Sequence, residues 1–303
     1  MTDVDLRLLR IFKTVTDCRG LSAAESALNM NLSTISSHMT DLERRLGLRL
    51  CERGRRGFHL TDEGHSVYQA ADSLLNTVEQ FRADIGAIRH ELSGELAIGV
   101  VDNTITDVHA HIAEAIVAVK QKGGDLHLKM EIKSPNEIEA AVLERKIHVG
   151  IGPFRAMHPG LSYLPLHTES LCLYCGHSHE LFKLASNDIS TADLKKMDYV
   201  SRGYMRESRE MGDAISFKVA ATVYHMEAVA TLILSGKFIG YLPEHYASQW
   251  VKQGLMRAIN PAVLSHRAEF SLAVLKGREH TMAVRVFVGA LQSALPPDRR
   301  TSI

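Results

Sequence analysis

Between Asn31 and Arg56 the chain gathers two kinds of side chain that suit one polyanionic partner. Asn31, Ser33, Thr34, Ser36, Ser37 and His38 are short or compact hydrogen-bonding groups. On a narrow helix they let the backbone approach base edges in a DNA groove. Arg44, Arg45, Arg49, Arg53, Arg55 and Arg56 follow, with Glu52 the one acid among them. The whole chain balances 35 Lys and Arg against 35 Asp and Glu, so this basic run is local, as a phosphate footprint requires. Ser33, Ser36 and Ser37 are therefore expected to face bases, and Arg53, Arg55 and Arg56 to hold phosphates.

A second constellation, Cys172, Cys175, His177 and His179 in CLYCGHSH, has the composition of a metal site. Its spacing argues against one. The segment reads as a strand, where residues three apart face opposite sides, so the two thiols cannot close on one ion. Cys18 and Cys51 read as small apolar fillers. No G-x-S-x-G, Walker A or H-E-x-x-H motif is present. Neither a catalytic residue, a metal nor a cofactor is expected.

The elements around the Ser and Arg set explain how it would be positioned. Ser22 suits the N-cap of a short helix through Leu28, and Asn29, Met30 and Asn31 turn into a second helix that Asn31 can cap. Ile35, Met39, Leu42 and Leu46 place one face of that helix in a core. Gly47 ends it. Leu48 to Glu52 and Phe58 to Leu60 then read as a two-stranded wing. Residues 1–60 are thus expected to form a winged helix-turn-helix. Over residues 61–90 a helix capped by Thr61 carries Val67, Ala71, Leu74, Val78, Phe81, Ile85 and Ile88 four and three residues apart. That heptad predicts pairing with a second copy, as dimer or tetramer.

From about residue 91 strands and helices alternate, predicting an α/β domain with a parallel sheet in two halves, residues 91–160 plus 268–303 and residues 161–267. In such folds ligands bind at the carboxyl ends of strands, against helix N-termini. Asn103 and Thr104 follow the first strand, with Thr104 an expected cap for a helix from Ile105 to Lys120. Ser134 opens a capping box with Pro135 at the first helical position, leaving Asn136 toward a crevice. Phe154, Tyr224 and His225 close the set, and Arg202 is the expected carboxylate clamp. Together they predict a small-molecule effector, an organic anion by this chemistry.

The N-terminal block resembles the LysR-type transcriptional regulators. The resemblance rests on Ala23-Ala24, Leu28, Ser36 in STISSHM, Leu42-Glu43, Leu46-Gly47, Leu50-Cys51-Glu52-Arg53 and Leu60-Thr61-Asp62-Glu63-Gly64, and continues more loosely to the C-terminus. It implies a regulator that binds double-stranded DNA, engages the transcription machinery, pairs through the linker helix, and senses a small molecule in a domain resembling periplasmic solute-binding proteins. Two departures stand out. Leu32-Ser33 replaces the usual Gln-Pro, so the Gln contact to bases does not carry over, and Cys51 replaces the usual Phe in the wing. The competing reading is a ligand-binding or enzymatic α/β protein whose N-terminal block serves only assembly. Acidic Asp3 and Asp5 at the start, four cysteines without a framework, and no apolar run near the ~20 residues of a membrane span predict a cytoplasmic protein without membrane contact.

Overall fold

The computed structural model describes the chain except residues 1–5, 55–56, 89–91, 93, 156, 186–187, 205–214, 278–280 and 296–303. It divides into two compact units, Met1–Ile88 and Arg89–Ile303.

The first unit contains α1 (Leu6–Asp17), α2 (Glu25–Leu28), α3 (Leu32–Leu46), β1 (Cys51–Gly54), β2 (Gly57–Leu60) and α4 (Asp62–Ile88). Ile35, Met39 and Leu42 of α3 are buried with Leu8, Leu9, Ile11, Phe12 and Val15 of α1. The sequence motifs of this unit have local physical causes. Glu43 Oε1 accepts from Leu50 N at 2.8 Å, fastening the end of α3 to the strand that follows. Thr61 Oγ1 caps α4 by accepting from Gly64 N at 2.9 Å and donates to Arg49 O at 2.6 Å. A Cβ on Gly64 would come within 1.9 Å of Leu50 O, so only glycine lets α4 start this close to the wing. The β1–β2 pair is antiparallel, with Cys51 opposite Leu60. Ser22 is not a cap. Residues 21–24 form a turn, with Glu25 N donating to Ser22 O, so α2 is reduced to one turn behind Ala24.

The heptad of α4 serves two surfaces. Ala71, 3% exposed, and Leu75 belong to the core beneath α1, with Val67 and Tyr68 packed against it. Ala71 and Val67 thus find their apolar partners within their own unit. Leu74 is 45% and Phe81 64% exposed, and Val78 is half-buried. The side chains of Ile85 and Ile88 lie outside the described residues.

The second unit holds β3 (Gly94–Val100), α5 (Ile112–Gln121), β4 (Leu126–Ile132), α6 (Pro135–Leu143), β5 (Val149–Gly152), β6 (Leu161–Gly176), α7 (Thr191–Leu194), β7 (Asp198–Arg202), β8 (Lys218–Val223), α8 (Met226–Leu234), β9 (Ile239–Pro243), α9 (Glu244–Lys252), β10 (Met256–Ala258), β11 (Ser265–Leu275) and α10 (Met282–Ala294). One sheet runs β4-β3-β5-β11-β6-β9-β7-β8, with β10 beside β6. It is mixed, which corrects the expectation of a parallel sheet. β3 is parallel to β4 and β5, and β7 to β8 and β9, but β6 and β11 are antiparallel to each other and to the strands they join.

These two long strands cross from one half to the other. Leu161, Leu164 and Leu166 of β6 belong to the core that includes β3, β5 and α10, whereas Leu171 to Cys175 belong to the core with α8 and β9. The change of halves therefore falls later in β6 than residue 161. Phe270 lies in the first core and Ala268 packs against the second. Between them the β6–β11 register slips, with Glu269 opposite Thr168 but Ser271 opposite Pro165. This places an extra residue in β6 around His167, a bulge of the kind that re-aims side chains.

Candidate effector and DNA sites

Asn31 sits at the N-cap of α3 and its Oδ1 accepts from Thr34 N and from Ser33 Oγ, each at 2.9 Å. Glu25 Oε1 takes the Leu32 N–H at 2.7 Å, tying α2 to the same helix end. Ser33, Thr34 and Ser37 are exposed, while Ser36 and His38 are half-buried. Gly47 closes the helix in the left-handed conformation at φ 67°. The exposed hydroxyl face is thus held by caps at both ends and by the apolar face behind it. Arg44 and Arg45 pair with Asp41 at 2.6 and 2.8 Å, which depresses the Asp41 carboxyl, Arg44 contributing most. Arg49 is exposed. Arg53 lies on β1, and Arg55 and Arg56 fall outside the described residues.

In the second unit the expected effector residues converge at strand ends. Val100 pairs with Ile132 and Ile151, so the loops after β3, β4 and β5 leave one edge of the sheet. Arg202 ends β7 opposite Val223, the last residue of β8, which places Arg202 beside Tyr224 and His225. Arg202 is only 6% exposed, and its guanidinium lies 5.6 Å from the Tyr204 ring centre and donates to the Tyr204 hydroxyl at 3.3 Å. The Tyr224 ring packs over Gly203, where a Cβ would come within 2.6 Å of it.

The two halves meet at Asp102. Its Oδ2 accepts from the Met226 N–H, the first residue of α8, and lies 3.8 Å from His225 Nδ1. Burial raises the Asp102 carboxyl, and the Met226 N–H, His225 and Arg202 pull in the opposite direction without overcoming it. At α6, Glu137 Oε2 accepts from Ser134 N at 2.9 Å and from Ser134 Oγ at 2.6 Å. The Ser134 hydroxyl and N–H hold the Glu137 carboxyl low, with a smaller contribution from His225.

Several expectations need correction. Thr104 does not cap a long helix: it begins a three-residue 3-10 turn behind left-handed Asn103, and α5 starts at Ile112. Asp107 causes the difference, since it turns inward to His167 and breaks the helical run. Phe154 is core, buried near Val149 and Ile151 with its ring 5.6 Å from Tyr163. Asn136 is exposed on the first turn of α6. Asn103, Thr104 and Ser134 are half-buried, and Tyr224 and His225 are exposed. Asp102 and Glu137 were not among the expected site residues, although Asp102 stands two residues before Thr104 and Glu137 three after Ser134 in the sequence.

The cysteine and histidine run behaves as a strand and its turn. Burial, reinforced by Glu244, pushes the Cys172 thiol up to about 12, and burial pushes Cys175 up to about 11. Neither favours the thiolate a metal or redox role needs. Cys172 Sγ donates to Glu244 Oε1 at 3.0 Å. His179 Nδ1 accepts from Leu181 N.

Residues 6–65 match the bacterial regulatory helix-turn-helix protein, lysR family, and residues 89–296 match the LysR substrate binding domain. The chain belongs to the LysR family of transcriptional regulators. It is 41% identical over 291 residues to the HTH-type transcriptional activator BauR of Pseudomonas aeruginosa, covering 96% of this chain and 95% of that protein. It is 27% identical over 191 residues to the HTH-type transcriptional regulator BenM of Acinetobacter baylyi, covering 63% of this chain and 62% of that one. Among solved structures, full-length CbnR complexed with its target DNA superposes with a TM-score of 0.66 at 21% identity, covering 96% of this chain and all of that one. A full-length OxyR variant from Pseudomonas aeruginosa gives 0.62 at 17%, covering all of this chain and 99% of that one. This LysR regulator therefore joins a helix-turn-helix unit to an effector-binding α/β unit, and it is not an enzyme. Among the described residues no helix is long and apolar enough to cross a membrane.

Proposed function

We propose that this regulator reads duplex DNA in the cytoplasm as a homo-oligomer, through the exposed Ser33, Thr34 and Ser37 face of α3 and the arginines of the wing. Pairing uses Leu74, Val78 and Phe81 of α4. Its effector is a small organic anion held near Arg202 and the N-terminus of α8. The observation that carries the effector class is the Asp102 carboxylate at Met226 N: the chain itself places an anion at the N-terminus of α8, where Arg202 contributes positive charge. Asp107 is turned toward His167 and the His109 N–H, so Asp102 is the acid an incoming carboxylate meets and displaces.

An effector carboxylate competes with Asp102 for this position. Displacing it releases the β3 loop of the first half from α8 of the second, which changes the relative stability of the two arrangements of the halves and so supplies the differential affinity that regulation needs. The test pairs two measurements on the full-length protein. Fluorescence anisotropy with duplex from its own upstream region should show affinity above that for random duplex and falling steeply with salt. Thermal shift with a series of mono- and dicarboxylates, amines and neutral analogues should respond to the carboxylates. A response confined to amines overturns the anion reading and leaves the DNA reading standing.

A further inference from the structure

Three side chains far apart in sequence meet where β6 and β11 pass between the halves. Asp107 comes from the loop after β3, Glu169 from β6 and His245 from the first turn of α9, and one ligand atom of each lies within 4.8 Å of the others. Asp107 and Glu169 are 9% and 6% exposed, and His245 is half-buried.

Both ring nitrogens of His245 are held by polar partners. Thr106 Oγ1 lies 2.7 Å from His245 Nδ1 and 3.1 Å from Asn103 O. His245 Nε2 lies 2.9 Å from Glu169 Oε1. With the proton on Nδ1, the Nε2 lone pair and the Glu169 oxygen face each other as two ligand atoms that a cation can join. A hydroxyl fixing the far nitrogen of the ring is the arrangement that orients a metal-binding histidine.

Asp107 supplies an independent observation. Its Oδ1 takes the His109 N–H at 2.9 Å, while Oδ2 sits 2.6 Å from His167 Nε2 but off the line a hydrogen bond needs. Among the described residues, Asp107 Oδ2 and both His167 ring nitrogens are thus buried without a directed hydrogen bond, a costly state for polar atoms in an interior. His167 is 7% exposed, stacks on Phe270 at 4.8 Å, and stands at the β6 bulge.

We propose that Asp107, Glu169 and His245 form a binding site for a divalent transition metal of the zinc type, with His167 as a positioning residue for Asp107. The mixed nitrogen and oxygen set suits such an ion better than Ca2+ or Mg2+, which take six or more oxygens and water. Tetrahedral bonds of about 2.0–2.2 Å set ligand atoms about 3.4 Å apart, so a pair at the 4.8 Å limit must draw in by roughly 1.4 Å. The bound ion would tie a loop of the first half to α9 of the second across the crossing strands.

The full-length protein, stripped with EDTA and desalted, is titrated with Co(II) and then with Zn(II). One Co(II) per chain should give visible d–d absorption of a low-symmetry site, displaced by one Zn(II). His245→Ala and the near-isosteric Glu169→Gln should each weaken binding by at least about 100-fold, and His167→Ala by about 10- to 100-fold. His127→Ala, exposed on β4, should leave it unchanged. Circular dichroism checks each variant's fold, and should His245→Ala fail to fold, Glu169→Gln decides. Absence of stoichiometric Co(II) binding by the wild type, or equal binding by wild type and Glu169→Gln, overturns the site and makes the cluster a hydrogen-bonded clasp alone.

Discussion

The Asp102 carboxylate of the first half accepts the Met226 N–H at the start of α8 in the second half, so the chain carries its own anion at a helix N-terminus facing the other half. Asn keeps an acceptor oxygen at that position and removes the charge. Asp102→Asn should therefore tighten binding of a carboxylate effector by about 5-fold, corresponding to the ~1 kcal/mol a charge contributes at a partly buried helix end. The measurement is the midpoint of the thermal-shift titration. A weaker midpoint for amines, with no gain for carboxylates, would show that Asp102 is itself a ligand group for a cation.

The recognition helix predicts two different failures. Ser37 is exposed on α3 and caps neither of its ends, whereas the wing arginines are proposed to act through charge. Ser37→Ala should lower the ratio of specific to random duplex affinity by up to about 10-fold and leave the salt slope unchanged. Arg55→Ala should weaken both duplexes alike and reduce the slope by about one. Unchanged footprints for Ser37→Ala would exclude that hydroxyl from base contact.

Local chemistry was legible in the sequence wherever cause and effect lie within one turn. Asn31 capping Thr34 N, Gly47 ending α3 and Thr61 capping Gly64 N follow from residue type and spacing alone. The failures are tertiary. The apolar run from Ile105 fits a helix, but Asp107 gains a buried imidazole 60 residues away and the chain turns there instead. Strand periodicity says nothing of direction, so the antiparallel crossing of β6 and β11 was invisible, and with it the meeting of Asp107, Glu169 and His245. A heptad likewise records an apolar seam without naming its partner, which for Ala71 is α1 of its own unit.

That division of α4 sharpens the oligomer prediction. Leu74 and Phe81 are exposed apolar side chains seven residues apart on one face, while Ala71 and Leu75 are consumed internally. Leu74→Asp with Phe81→Asp should leave the unit folded and dissociate the oligomer, since pairing would bury unpaired charge at a cost of several kcal/mol. Light scattering at a fixed concentration reads the mass. A double variant with wild-type mass and circular dichroism would move the interface elsewhere.

Asp107 makes a pH prediction with a definite sign. Burial opposes its ionisation, but the His167 imidazole, the His109 N–H and the charge of His245 outweigh it, so the folded carboxyl sits below its ordinary value near 3.8. A group depressed in the folded state stabilises the protein above its unfolded value, and that contribution fades as pH falls from there through the folded value. Asp107→Asn removes the charge at every pH. With EDTA present to exclude bound metal, the melting temperature of Asp107→Asn should lie below wild type at pH 6, and the gap should close as pH falls from about 4 toward 2. A gap that stays constant through that window would show that Asp107 stabilises the fold by shape and hydrogen bonding and that its charge contributes nothing.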